Sequence, residues 1–198
     1  MVKNFKLVIL GPENSGKSAL VTQFLDNRFV EDYEPTKISY ARKSFGVLGQ
    51  KVLLDFEEFG QHAQESFKEK CYKDADGFLI VFSVNDLKSF EEAQEFREQI
   101  VKIRQDETIP FILVGNKVDL EERQVKVGQA LAKATDWNVW YMETSAKTRR
   151  NVCKVFINVM NKMIEKQRIQ AIPVDDKEEE EEDSEDEEED SEEEKASK

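Results

Sequence analysis

The feature that most constrains this chain is the octapeptide Gly11-Pro12-Glu13-Asn14-Ser15-Gly16-Lys17-Ser18, which fits G-x-x-x-x-G-K-S. It follows the apolar run Phe5–Leu10 and precedes a helical pattern, Lys17–Asn27. That strand–loop–helix setting is the one the motif needs. Backbone N–H groups of such a loop, and of the helix it opens, point at phosphate oxygens. Lys17 would set a positive charge against β- and γ-phosphates, and Ser18 would offer its hydroxyl to Mg²⁺. The architecture is therefore expected to be a sheet whose strands deliver loops to one edge.

The rest of the chain alternates in the same manner. Ile38–Phe45 and Val52–Phe56 read as strands around a turn at Gly46–Gly49. Gly77–Val84 and Phe111–Val114 are nearly continuous apolar strands, which implies burial on both faces. Asn85 or Asp86 can cap a helix running to about Arg104. A helix near Val127–Ala134, a strand Asn138–Met142 and a helix from about Asn151 complete the pattern. In the last helix Val152, Val155, Phe156, Val159 and Met163 form a stripe at helical spacing, the mark of a core-packing face. The fold class predicted is α/β: a six-stranded, mostly parallel sheet flanked by helices. Ligands on such sheets sit at the carboxyl ends of strands.

Two further motifs stand just past strands, Asn116-Lys117-Val118-Asp119 and Ser145-Ala146-Lys147. Either alone is weak; both, in order after a phosphate loop, are strong. With Phe29-Val30-Glu31-Asp32-Tyr33-Glu34-Pro35-Thr36-Lys37 and Glu143-Thr144-Ser145-Ala146-Lys147-Thr148-Arg149, the chain resembles Ras-superfamily small GTPases, and most closely the Ral branch. The resemblance covers about residues 4–165. It implies GTP/GDP and Mg²⁺ as cofactors. Asn14, Ser15, Gly16, Lys17, Ser18 and Ala19 would surround the phosphates, and Val30 to Asp32 would lie near the ribose. Asp119 would accept hydrogen bonds from guanine and so reject adenine, because its carboxylate would lose its donors. Asn116 and Lys117 would brace base and loop, the Ala146 N–H would meet the base oxygen, and Lys147 and Phe29 would pack on the base. Thr36 would bind Mg²⁺, effectors would engage Tyr33–Tyr40, and an exchange factor is a further implied partner.

The resemblance also shows where this chain departs from its family. Two glycines usually follow Pro12's position; here stand Glu13 and Asn14. Glu13 brings bulk and negative charge to the region where an arginine finger enters. Counting back from Gly60, the aspartate position of D-x-x-G is Glu57, expected as the third metal residue beside Ser18 and Thr36. The stretch from Thr36 to Gly60 is one residue shorter than in the family, which loosens that alignment by one position. Gln61 stands where the water-orienting catalytic glutamine belongs. Two readings stay open: a Ral-like switch with slow or GAP-resistant hydrolysis, and a pseudo-GTPase scaffold with weak or absent turnover. A third class is an acidic-tail interaction protein whose G domain is only a platform.

Charge separates the chain into two parts. The formal net charge is −13, but from Asp175 to Lys198 there are 17 acidic residues against three lysines, and the remainder is close to neutral. We therefore expect a G domain over residues 1–171 and a disordered acidic tail over 172–198, too poor in apolar side chains to offset ordering entropy. The tail suits basic proteins and would be repelled by anionic membranes; no nucleic-acid partner is expected. No cysteine stands near the C-terminus and no long apolar run opens the chain, so the expectation is a soluble cytoplasmic or nuclear protein without a stable membrane anchor. Cys71 and Cys153 lack metal or redox spacing and read as small buried hydrophobes.

Overall fold

The computed structural model describes residues 3–30, 38–59, 63–106 and 108–170. Eleven elements follow one another: β1 (Lys3–Leu10), α1 (Lys17–Asp26), β2 (Ile38–Val47), β3 (Gln50–Phe59), α2 (Glu65–Asp74), β4 (Gly77–Ser83), α3 (Leu87–Arg104), β5 (Phe111–Asn116), α4 (Val127–Asp136), β6 (Trp140–Glu143) and α5 (Val152–Gln170). The strands form one sheet in the order β2-β3-β1-β4-β5-β6. Only β2 and β3 are antiparallel, joined by a tight turn in which Gly49 takes φ 73°. The other pairings are parallel, so the carboxyl ends of β1, β3, β4, β5 and β6 share one edge.

The pleat sends alternate side chains to opposite faces. Leu7 and Ile9 of β1, with Leu54 and Phe56 of β3, meet Leu20 and Val21 of α1 and Val155, Phe156 and Val159 of α5. Val8 and Leu10 point the other way, into a second core with Cys71 and Tyr72 of α2, Phe96 and Ile100 of α3, and Ala130 and Ala134 of α4. The expected stripe of α5 is this first core's wall: all five of its residues are buried. Phe24 stacks on Phe156 at 4.2 Å and on Phe45 at 5.1 Å, tying α1 to α5 and to the outer hairpin. β4 and β5 are buried along their whole length, as continuous apolar runs require. Asp86 caps α3 by accepting the Ser89 N–H at 3.2 Å.

Three differences from the sequence reading matter. β3 continues to Phe59 rather than ending at Phe56. A helix, α2, fills the stretch Glu65–Asp74. Cys71 is buried as expected, whereas Cys153 is exposed on α5; its place in the helix, next to Val152 but off the apolar stripe, turns it to solvent.

Candidate functional site

The loop after β1 is shaped by its glycines. Gly11 has φ 148°, and a Cβ there would stand 2.0 Å from the Val81 carbonyl oxygen. Gly16 has φ 90°, and a Cβ there would stand 2.3 Å from Asn116 Nδ2. Neither place accepts a side chain. Asn14 also has a positive φ, 60°; asparagine is among the few residues that visit this left-handed region readily. The replacement of a glycine by Asn14 therefore preserves the path of the loop. Ser15 is buried, its hydroxyl donating to the Pro12 carbonyl at 2.9 Å. Lys17 opens α1, and its Nζ donates to the carbonyls of Gly11 (2.9 Å) and Pro12 (2.8 Å). Burial lowers the Lys17 pKa, opposed by the negative charges of Glu58 and Glu13. No side chain caps the N-terminus of α1, so its leading N–H groups face the loop as donors for an anion.

A second assembly forms at the ends of β5 and β6. Asn116 is almost fully buried. Its Nδ2 donates to the Ser15 carbonyl at 3.0 Å, and its Oδ1 accepts from Thr144 Oγ1 (3.1 Å) and from the Ala146 N–H (3.4 Å). One side chain thus binds the phosphate loop to the loop after β6. Asp119 Oδ1 accepts from the Ser145 hydroxyl at 2.6 Å, and that hydroxyl accepts the Thr148 N–H at 3.0 Å. Gln23 of α1 donates to the Ala146 carbonyl at 2.9 Å. Beside these bonds lies an open cavity of about 280 Å³ lined by Gly16, Ala19, Phe29, Asn116, Lys117, Asp119, Leu120, Ala146 and Lys147. Eight of those nine were expected from the sequence. Leu120 was not; its only signal was being the apolar residue that follows Asp119. Burial lowers the Lys117 pKa, opposed by Asp86 and Asp119.

The metal side requires a correction. Glu57, expected beside Ser18, lies on the opposite face of β3. There it pairs with Lys6 at 3.0 Å and accepts from the Cys71 thiol at 2.9 Å. Burial, with that hydrogen bond to Glu57, pushes the Cys71 pKa up to about 12. Glu58 is the carboxylate that meets the Ser18 hydroxyl, through Oε1. The reason is the pleat: β3 runs on through both residues, and only the even-numbered positions face α1. Burial raises the Glu58 pKa, opposed by the Ser18 hydrogen bond and the Lys17 charge. Its second oxygen is buried without a hydrogen-bond partner. An orphaned carboxylate oxygen beside a serine hydroxyl fits a divalent cation, which would satisfy both.

Other expected residues lie elsewhere. Val30 is half-buried at the end of the described segment. Asp32, Thr36, Gly60 and Gln61 lie outside the described residues, as does the Tyr33–Lys37 part of the expected effector surface. Of that surface Tyr40 is exposed, its hydroxyl donating to Asp55 at 3.0 Å.

The described elements thus bring the glycine-shaped loop after β1, a cavity and the Glu58 carboxylate to one sheet edge. The family model described as Ras family matches residues 6–165. The chain belongs to the Ras family. Over 160 residues it is 45% identical to the Ras-related protein Ral-a of Drosophila melanogaster, covering 80% of each chain. It is 45% identical over 161 residues to Ras-related protein Ral-B of Mus musculus and to Ras-related protein O-RAL of Diplobatis ommata, covering 80% of this chain and 78% of each relative. Its architecture is that of a Ras-family small GTPase. Among the described residues no helix is long and apolar enough to cross a membrane.

Proposed function

We propose that this chain is a Ral-like signalling switch that binds GTP and GDP with Mg²⁺, hydrolyses GTP slowly, and engages effectors through Tyr33–Tyr40. Residues 1–171 would form the G domain and 172–198 the acidic tail, in a cytoplasmic or nuclear protein. Lys17 and the α1 N-terminus bind phosphate, and Asp119, oriented by Ser145, reads guanine. Ser18, Glu58 and Thr36 would hold the Mg²⁺, which when bound neutralises phosphate charge. Gln61 would orient water.

Slow hydrolysis rests on Glu13. It stands two residues past Gly11 in the phosphate loop, exposed, and close enough to act electrostatically on Lys17. Its carboxylate would oppose the γ-phosphate of a bound GTP, since like charges about 4 Å apart repel by about 4 kcal/mol at an effective dielectric of 20. An arginine finger supplies about 10³–10⁵ in rate in this mechanism, and the bulk and position of Glu13 obstruct its entry. The test is single-turnover GTP hydrolysis with and without a Ral-type activating protein. We expect little stimulation of the native chain and recovered stimulation in Glu13→Gly; strong stimulation of the native chain refutes the proposal.

One observation supports a second reading, a pseudo-GTPase scaffold. The phosphate loop carries Glu13 and Asn14 where the family usually has two glycines. The nucleotide that co-purifies separates the two: GTP or GDP supports the switch, and an empty protein supports the scaffold.

A further inference from the structure

The loop after β6 and the first turns of α5 present cations alone. Between Glu143 and Glu165 the chain has five lysines and arginines and no carboxylate. Of these, Arg149, Arg150 and Lys154 are exposed. Several basic side chains elsewhere are answered by carboxylates: Lys6 by Glu57, Arg123 by Glu143, Lys166 by Asp106. Among the described residues no carboxylate pairs with Arg149, Arg150 or Lys154. The positive end of the α5 dipole falls at the same place, since the helix begins at Val152.

We infer that this basic face is the docking surface of the chain's own acidic run, residues 178–194. The charges are complementary and the reach fits. From Lys154 to Gln170 α5 is about 24 Å long at about 1.5 Å per residue. An extended chain returning from Gln170 covers that in about seven or eight residues, at about 3.3 Å each. The first uninterrupted acidic block, Glu178–Asp183, begins eight residues past Gln170. It meets Lys154, and the second block, Glu185–Asp190, continues to Arg150 and Arg149. Tethering gives the run a millimolar effective concentration at this face, so it outcompetes the run of a second copy in dilute solution. Lys147, in the same loop, lines the guanine cavity, so the docked run lies at the cavity's rim. The inference rests on surface charge and chain length, independently of whether the protein hydrolyses GTP.

The structure supplies its own probe position. Cys153 is exposed among these cations, whereas Cys71 is buried. A nitroxide on Cys153 of the full chain, read through the amide signals of the acidic run, tests the contact. At 0.1 M salt, where the Debye length is about 10 Å, signals from residues 178–190 are expected to lose more than half their intensity; at 1 M, where it is about 3 Å, they recover. The combined variant Arg149→Gln, Arg150→Gln, Lys154→Gln is expected to abolish the loss with the core signals unchanged. Intensities that do not fall, or that fall regardless of salt and of the variant, overturn the inference. Broadening in a mixture of nitroxide-bearing and isotope-labelled chains also overturns it, because a second copy would then be the occupant.

Discussion

Asn116→Ala removes a buried side chain that joins the loop after β1 to the loop after β6. Its Nδ2 bond to Ser15 and its two accepted bonds, from Thr144 and Ala146, are all buried. A typical intramolecular hydrogen bond contributes about 1 kcal/mol net, and a buried group left unpaired costs about 1–3 kcal/mol. The Thr144 hydroxyl can rotate to another acceptor, and the Ala146 contact is long at 3.4 Å. The Ser15 carbonyl has no such freedom. We therefore expect a loss of about 2–4 kcal/mol in unfolding free energy by urea titration. The same loss should appear in binding, because both loops must be placed for the nucleotide to be held: about 30- to 1,000-fold in the dissociation constant of a fluorescent GDP analogue, at about 1.4 kcal/mol per tenfold. A double-mutant cycle with Thr144→Val isolates the link. Thr144→Val should cost about 1 kcal/mol less in the Asn116→Ala background than in the native one. Strict additivity, or an Asn116→Ala loss under about 0.5 kcal/mol, would refute the bridging role.

Two more predictions follow from the same structure. Glu58→Ala should lower the Mg²⁺-dependent retention of bound GDP by about 10- to 100-fold, the worth of one lost charge-assisted contact, while Glu57→Ala should leave it unchanged; the opposite pattern, in a nucleotide-release assay with and without chelator, would mean that the strand phase is misassigned. Lys166→Met should destabilise the protein by about 1 kcal/mol at pH 7, a figure already reduced for the solvent exposure of the pair. Lys166 and then Thr108 hold the Asp106 carboxyl at about 2, below its ordinary 3.8. The folded state therefore binds this proton less tightly than the unfolded chain, and the stabilisation is complete above about pH 4 and lost as the pH falls through 2. Urea titrations of both proteins should converge over that window, and a gap independent of pH would remove the Asp106–Lys166 pair as its cause.

The parts of the site that were legible in the sequence are those whose chemistry is local. Gly16, Lys17 and Ser18 are consecutive, and Asn116 to Asp119 directly follow a strand whose apolar run cannot be read otherwise. Glu57 and Glu58 show what was not legible. Counting back from Gly60 selects Glu57, but the facing of a carboxylate on a strand is set by its pairing. Val8 stands opposite Glu57 and Ile9 opposite Glu58, and β1 carries Val8 into the α2 core and Ile9 into the α1 core. Phase is a property of two strands about 50 residues apart, and a one-residue difference inverts it. The helix α2 was missed for a related reason. It has few apolar residues of its own, and its anchor comes from outside: Phe59 of β3 meets Phe67 at 5.4 Å and Tyr72 at 5.8 Å. The Lys6–Glu57–Cys71 chain beneath it joins three elements, and no sequence window contains it.

The phosphate loop itself argues that binding and turnover are separable in this protein. Its departures from the family, Glu13 and Asn14, are both exposed, whereas the neighbouring Ser15 and Lys17 are buried. The buried half is held by bonds that do not involve the altered side chains: Ser15 to Pro12, Lys17 to Gly11 and Pro12, and Asn116 to Ser15. Asn14 meets the one backbone demand on the exposed half by accepting a left-handed conformation. Substitution there leaves these backbone-held bonds of the loop in place and changes the face it turns to solvent. Under the proposed function, an activating protein's arginine would approach from that side, while the nucleotide would rest on the buried half. A Ras-family chain with this loop is therefore expected to hold its nucleotide and to resist being switched off, and Glu13→Gly is the single change that should restore the second property without touching the first.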